Sequence, residues 1–249
     1  MDSVIIGVDE AGRGPVIGPL VVSAVRIPNI DVKILEEMGV KDSKKINKIK
    51  RKKIFESIME NCKNRNWKIS KIICSASEID KYIGESSLNQ LEVKLFSSAI
   101  EEIGLSKKII HVNVDACDVD EIRFGKNIEK ELGDRWKKTE IISKHKMDEI
   151  DLVTAAASII AKVTRDSEIQ KLNDRTDFEI GSGYPSDLIT RRAVKKMIVN
   201  KFPHSELRWS WKTVKDEWLK IHNRPLPVRV ELGKSVEQKS LDEWTKSEW

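Results

Sequence analysis

The residues of this sequence best suited to chemistry are carboxylates at the ends of apolar runs. Ile5-Ile6-Gly7-Val8 ends on two adjacent acids, Asp9 and Glu10, and Ala11-Gly12-Arg13-Gly14-Pro15 follows at once. A strand that carries charge to its own buried end is costly unless a cation or a donor meets it. Hard divalent cations take carboxylate oxygens, so the pair reads as half of a metal site. A surface turn with an N-cap acid would look the same. The glycines let backbone approach a ligand closely, and Arg13 between them suits a phosphate. A second apolar run, 109–114, ends on Asp115, at the carboxyl end of a strand where open α/β sheets place ligands. A third acid precedes a long helical stretch. It is Asp148 or Asp151; one could be a ligand and the other an N-cap, and spacing alone does not choose.

Five strands are expected to carry or support these acids, over residues 3–9, 19–27, 67–75, 109–115 and 139–144. The second, with Val21, Val22, Ala24, Val25 and Ile27, is nearly continuous in β-type residues, as in a sheet covered on both faces. In the fourth, Ile110, Val112 and Val114 share one face while His111, Asn113 and Asp115 share the other. Adjacent strand residues point to opposite faces, so Glu10 can join Asp9 only if the pleat ends or bulges there. Helices are expected from Ser77, over 88–103, from about residue 150, after Ser186, and from Arg208 to about residue 221. Asp118 and Asp120 read as helix-start acids. Residues 44–53 carry Lys44, Lys45, Lys48, Lys50, Arg51, Lys52 and Lys53 with no acid between them, a flank able to hold a phosphate backbone. Tyr184 stands on a Gly-rich turn, Gly181-Ser182-Gly183-Tyr184-Pro185, where an aromatic can act as a platform for a sugar or base.

Several blocks, in order, resemble one family. Asp9 to Pro15, continuing through Val16-Ile17-Gly18-Pro19-Leu20-Val21-Val22, is similar to the opening of ribonuclease HII, the type 2 ribonuclease H family. Asp42-Ser43-Lys44-Lys45, Asp115-Ala116-Cys117-Asp118-Val119-Asp120, the helix Ala156-Ala157-Ser158-Ile159-Ile160-Ala161-Lys162-Val163-Thr164-Arg165-Asp166, the Tyr184 turn and Arg208-Trp209-Ser210-Trp211-Lys212-Thr213 resemble its further motifs, the second in an archaeal-type version. The resemblance covers residues 3 to about 215. It implies a ribonuclease H-like α/β fold: a mixed central sheet flanked by helices, with a helical C-terminal appendage. It implies Asp9, Glu10, Asp115 and Asp148 as metal-binding catalytic residues, choosing Asp148 over Asp151 because the family's acid lies ten residues before the helix serine, here Ser158. Met147 departs from the small residue usual before that acid. Two divalent ions, Mg²⁺ or Mn²⁺, would be held. The implied reaction is hydrolysis of the RNA strand of RNA–DNA hybrids and cutting 5′ to single ribonucleotides in duplex DNA, leaving a 3′-hydroxyl and a 5′-phosphate, in replication and repair. Gly12, Arg13 and Gly14 would read the 2′-hydroxyl, which tells RNA from DNA. Tyr184 would sit on the neighbouring sugar, and Lys44, Lys45, Asn89, Lys162 and Arg165 would contact the backbone or, for the last two, support the acids. Gln238, Leu241 and Trp244 resemble the clamp-binding peptide of archaeal relatives, with Thr245 where a second aromatic is usual, so a sliding clamp is an expected partner.

Composition agrees with such a protein. The chain has 249 residues, 39% hydrophobic and 34% charged, with a net charge of +5. That balance fits a globular chain with a sizeable core and is too weakly basic to argue for a polyanion by itself. Cys62, Cys74 and Cys117 show no CxxC spacing and argue for a reducing compartment without a disulfide framework. No signal-type segment precedes the first strand and no apolar run reaches membrane-spanning length, so a cytoplasmic protein without a membrane partner is expected; a monomer is expected as well. The domains expected are a catalytic domain over 1–205, a helical extension over 206–231, and a flexible tail over 232–249. Two other readings are a nuclease of the same fold that needs no ribonucleotide, and a non-catalytic nucleic-acid binder. Against the second, a binder of polyanions gains nothing from four acids.

Overall fold

The computed structural model describes residues 3–40, 46–105, 109–230 and 234–236. In chain order the elements are β1 Val4–Ala11, β2 Leu20–Pro28, α1 Val32–Glu37, α2 Lys48–Asn64, β3 Lys68–Cys74, α3 Ala76–Glu85, α4 Leu88–Ile103, β4 Ile109–Asp115, α5 Glu121–Leu132, β5 Glu140–Lys144, α6 Met147–Ile150, α7 Leu152–Asn173, α8 Leu188–Met197, α9 Lys212–His222, β6 Val228–Val230 and β7 Lys234–Val236. The chain divides into two compact units. The first comprises Met1–Arg13, Leu20–Ile73 and Asn89–Ser167, the second Gly14–Pro19, Cys74–Leu88 and Glu168–Trp249.

The first unit holds a five-stranded sheet in the order β3-β2-β1-β4-β5. β1 runs antiparallel to β2 and parallel to β4, and β4 runs parallel to β5. The expected mixed sheet with helices on both faces is therefore what forms. The period of two along β1 sorts its side chains. Ile5 joins Val25, Ile27, Leu35, Ile54, Ile58 and the start of α7 in one core cluster. Ile6 and Val8 join Val112, Val114, Phe96 and Phe124 in another, on the side of α4 and α5. Ala155, Ala156, Ala157 and Ala161 are fully buried, and their small size lets α7 lie directly on β1. A Cβ placed on Gly7 would fall 2.3 Å from the backbone nitrogen of Thr154.

Three local boundaries differ from expectation. β1 continues two residues past Asp9, because β2 pairs with it one-to-one as far as Ala11↔Val21. The short helix α3 is capped by Ser75, not Ser77. Ser75 and Glu78 form a reciprocal capping box that satisfies two orphan donors. The helix expected from about residue 150 is two helices, because Asp151 is extended at φ −114° and ψ 126°.

The second unit is built around Val16, Ile17, Ile180, Leu207, Trp209 and Trp218, all buried. Arg208 is fully buried, and its Nε donates to the Gly18 carbonyl at 3.0 Å. Its guanidinium also lies over the Trp211 ring. Asp80 accepts from the backbone nitrogens of Trp209 at 2.7 Å and Ser210 at 2.9 Å, and from the Ser210 hydroxyl. The Arg208–Thr213 motif thus works here as an anchored turn ahead of α9, whose N-cap is Trp211. β6 and β7 pair as a two-stranded antiparallel sheet.

Candidate active site

Three acids meet at the carboxyl ends of β1 and β4. Asp9, Asp115 and Asp148 each offer a carboxylate oxygen, and these oxygens lie within 4.8 Å of one another. Parallel pairing of β1 with β4 brings Asp9 and Asp115 to the same end of the sheet. Asp148 arrives by a sharper device. After β5 the chain turns through Lys146 in the left-handed region, at φ 57° and ψ 38°, a conformation costly for a residue with a side chain. The turn sends the Met147 N–H to Asp115 Oδ1 at 3.0 Å and leaves Asp148 in the first turn of α6, 3% exposed. Asp151 has a different job. Its carboxylate accepts from the Thr154 backbone nitrogen at 2.7 Å and the Thr154 hydroxyl at 2.8 Å, capping α7.

Glu10 is not among the three oxygens within 4.8 Å of one another, but its carboxyl shares a side-chain hydrogen bond with that of Asp9. β1 neither ends nor bulges at Asp9, and Glu10 also meets the Cys117 thiol and the charge of Glu92. Its own charge acts on Asp9 and feels that of Asp115.

The electrostatics are those of a site short of positive charge. Burial, then the Glu10 charge, push the Asp9 carboxyl well above the usual carboxylate range, against a hydrogen bond from Ser158 and the charge of Lys162. Burial also raises Glu10, with the charges of Glu92 and Asp115 adding to it. Lys162 Nζ lies 4.0 Å from Asp148 and donates to Ser158 Oγ at 2.7 Å. One turn of α7 thus links a lysine through a serine to Asp9. The Asp9 carboxyl, raised by burial and set beside two further carboxylates, matches what a hard divalent cation requires, since the cation's charge removes the penalty that burial imposes.

Arg13, directly after the acidic strand end, is held from α4. Its guanidinium donates to the fully buried Glu92 and, at 2.8 Å, to Asn89 Oδ1.

The family model for ribonuclease HII matches residues 6–214. The chain belongs to the ribonuclease HII family. A ribonuclease HII from Methanococcus maripaludis (strain C6) is 37% identical over 244 residues, covering 98% of this chain and 92% of the relative. Among solved structures, ribonuclease H2 from Pyrococcus horikoshii OT3 is 35% identical with a TM-score of 0.77, over 89% of this chain and all of that one. The ribonuclease HII of Archaeoglobus fulgidus, solved in a complex with PCNA, is 31% identical with a TM-score of 0.73, over 96% of this chain and 99% of the other.

As a ribonuclease HII the chain is a nuclease, a hydrolase with ribonuclease H activity. The enzymes of this type use divalent metal ions, and Asp9, Asp115 and Asp148 could hold one. Of the other residues that the ribonuclease HII motifs single out, Arg165 is buried on α7. In the second unit the Tyr184 ring lies beside Gly14: a Cβ there would be 3.6 Å from Tyr184 Cε1. Lys44, Lys45, Gln238, Leu241 and Trp244 lie outside the described residues. No helix among the described residues is long and apolar enough to cross a membrane. Sequence reasoning missed Glu92 and the serine link to Asp9. The signal for Glu92 was available: it is an acid on the apolar stripe of Leu88, Leu91 and Leu95, one turn after Asn89.

Proposed function

We propose that this protein hydrolyses the RNA strand of RNA–DNA hybrids and cuts 5′ to single ribonucleotides embedded in duplex DNA, leaving a 3′-hydroxyl and a 5′-phosphate. The observation that carries the reading is the convergence of Asp9, Asp115 and Asp148 at one end of the sheet, in a chain of this family. Asp9, Asp115 and Asp148, with Glu10 beside them, are the residues assigned to hold two divalent ions, Mg²⁺ or Mn²⁺. When bound, such ions activate water and stabilise the leaving oxygen of an in-line displacement. The chain's own groups do the rest. Lys162 and Ser158 orient Asp9 and Asp148. The Gly12-Arg13-Gly14 backbone is assigned to the 2′-hydroxyl, and Tyr184 to a neighbouring sugar. Lys44, Lys45, Asn89 and Arg165 are assigned to the nucleic-acid backbone. Removal of ribonucleotides during replication and repair is the role this activity serves. The PCNA complex of the Archaeoglobus relative supports a sliding clamp as partner, with Gln238, Leu241 and Trp244 as the peptide that would meet it.

The test is cleavage of a labelled DNA duplex carrying one ribonucleotide, beside an all-DNA duplex, with Mg²⁺ or Mn²⁺. The expected cut is at the 5′ side of the ribonucleotide only. Asp148→Asn should lose more than the roughly 10–100-fold that removing a residue supporting a metal ligand costs. Asp151→Asn should keep cleavage, because its oxygen can still cap α7. Loss in Asp151→Asn alone would overturn the site assignment, and cutting of the all-DNA duplex would overturn the substrate.

A further inference from the structure

Glu92 is a charged group in a place that needs a reason. It lies on α4 between the core residues Leu91, Val93 and Phe96 and is fully buried. A carboxylate without access to water must be met by a cation and hydrogen bonds. The cation is Arg13, 79 residues earlier in the chain. Arg13 also donates to Asn89 Oδ1. Asn89 and Glu92 are three residues apart on one helix, so they share a face and present two acceptors side by side. A guanidinium satisfies two such acceptors at once in a fixed fork, which an ammonium cannot do. Asn89 is fixed in turn by Asp118, itself buried and gripped by Arg123 through Nε at 3.1 Å. The guanidinium of Arg13 is therefore tied at both ends of its fork to the first two turns of α4. The backbone it belongs to leaves β1 through Gly12 at φ 96°, a turn with little stiffness of its own.

We infer that Glu92 is a positioning residue of the nuclease: with Asn89 it clamps Arg13 and so holds the turn that follows the acidic end of β1. The Arg13 charge is spent on Glu92, and what meets the ribose 2′-hydroxyl is the backbone of the clamped turn. The inference rests on the ribonuclease reading above.

The experiment measures kcat and KM on an RNA–DNA hybrid with Mg²⁺ or Mn²⁺ for wild type, Glu92→Gln, Asn89→Ala, Arg13→Ala and the double variant Arg13→Ala/Glu92→Gln. Binding of the same hybrid in EDTA is measured alongside. Glu92→Gln keeps the shape and removes the charge. It should lower kcat by about tenfold or more, the scale of a misplaced reacting group. Its dissociation constant in EDTA should change by less than about twofold, because no phosphate contact is lost. Asn89→Ala leaves no buried charge unpaired and should fall in the same direction. The double variant should cut no worse than Arg13→Ala, because both changes open one clamp. Wild-type kcat in Glu92→Gln, losses that multiply in the double variant, or weaker binding equal to the loss in kcat would each overturn the inference. A wild type that leaves the hybrid uncut would instead overturn the ribonuclease reading, and the inference with it.

Discussion

Replacing Gly7 by alanine should be among the most damaging single-methyl changes in this protein. The added carbon would lie 2.3 Å from both Thr154 N and Val153 C, and 2.7 Å from Thr154 Cα. Carbon needs roughly 3.5–4.0 Å from such neighbours, so β1 and α7 would have to part by about 1 Å. Neither yields easily. Gly7 is paired with Val25 on one side and Asn113 on the other, and α7 is locked by its buried alanines. Overpacking costs about 1–3 kcal/mol, and more on occasion. Here backbone meets backbone with no rotamer to turn, so about 3 kcal/mol is the expected scale. For a chain of this size that corresponds to a fall of roughly 6–12 °C in melting temperature. Cleavage should fall too, since Asp9 lies two residues along the same face and its partner Ser158 one turn along α7. The assay is a calorimetric or circular-dichroism melt of Gly7→Ala beside Gly84→Ala. Gly84 lies within α3 with nothing within 4 Å of an added Cβ, so alanine there should stabilise by about 0.5–1 kcal/mol. A Gly7→Ala protein melting within about 2 °C of wild type would refute the close strand–helix approach as the device that seats the site.

Further outcomes concern Asp9, the metal and Lys146. The Asp9 carboxyl is raised by burial and by Glu10, so its contribution to stability is fully present below the unfolded value near 3.9 and is lost as pH rises through the folded value. In metal-free buffer Asp9→Asn should therefore melt above wild type by a few degrees at about pH 7.5 and level with it at about pH 4; an equal difference at both would refute this. Added Mg²⁺ or Mn²⁺ should raise the wild-type melting temperature more at the higher pH, where the ligands are deprotonated. Lys146 carries a positive φ. Lys146→Gly should be near neutral, because relief of about 1 kcal/mol of strain is offset by chain entropy. Lys146→Val should destabilise by about 1–2 kcal/mol and lose cleavage as Asp148 swings out, a result checked by melting and cleavage together.

Much of this is legible in the residues themselves. Apolar runs ending on acids mark the end of β4 at Asp115 and come within two residues of the end of β1, because a buried run and its terminal charge are both written in residue type. The small residues Ala155, Ala156, Ala157 and Ala161 let α7 press on the sheet, and Gly7 is their counterpart on the strand. Asp148 and Asp151 could not be told apart by spacing, since both precede a helix. Their roles separate only through Lys146, whose left-handed turn directs one to the other acids, and through the Thr154 amide, which takes the other as a cap.

By itself the sequence determined which segments are buried, which residues bring charge to them, and, through motifs in a fixed order, the family. Tertiary structure alone decided how those charges meet. Asp9, Asp115 and Asp148 are neighbours because β1 lies beside β4 in parallel, and strand order is not encoded in any local pattern. Glu10 meets Asp9 through a side-chain hydrogen bond even though β2 keeps pairing past Asp9 and preserves the pleat. Glu92 reads locally as a misplaced acid on an apolar stripe. It becomes intelligible only when folding brings Arg13 to it across 79 residues, since a buried charge is accounted for by its partner in space and not by its neighbours in the chain.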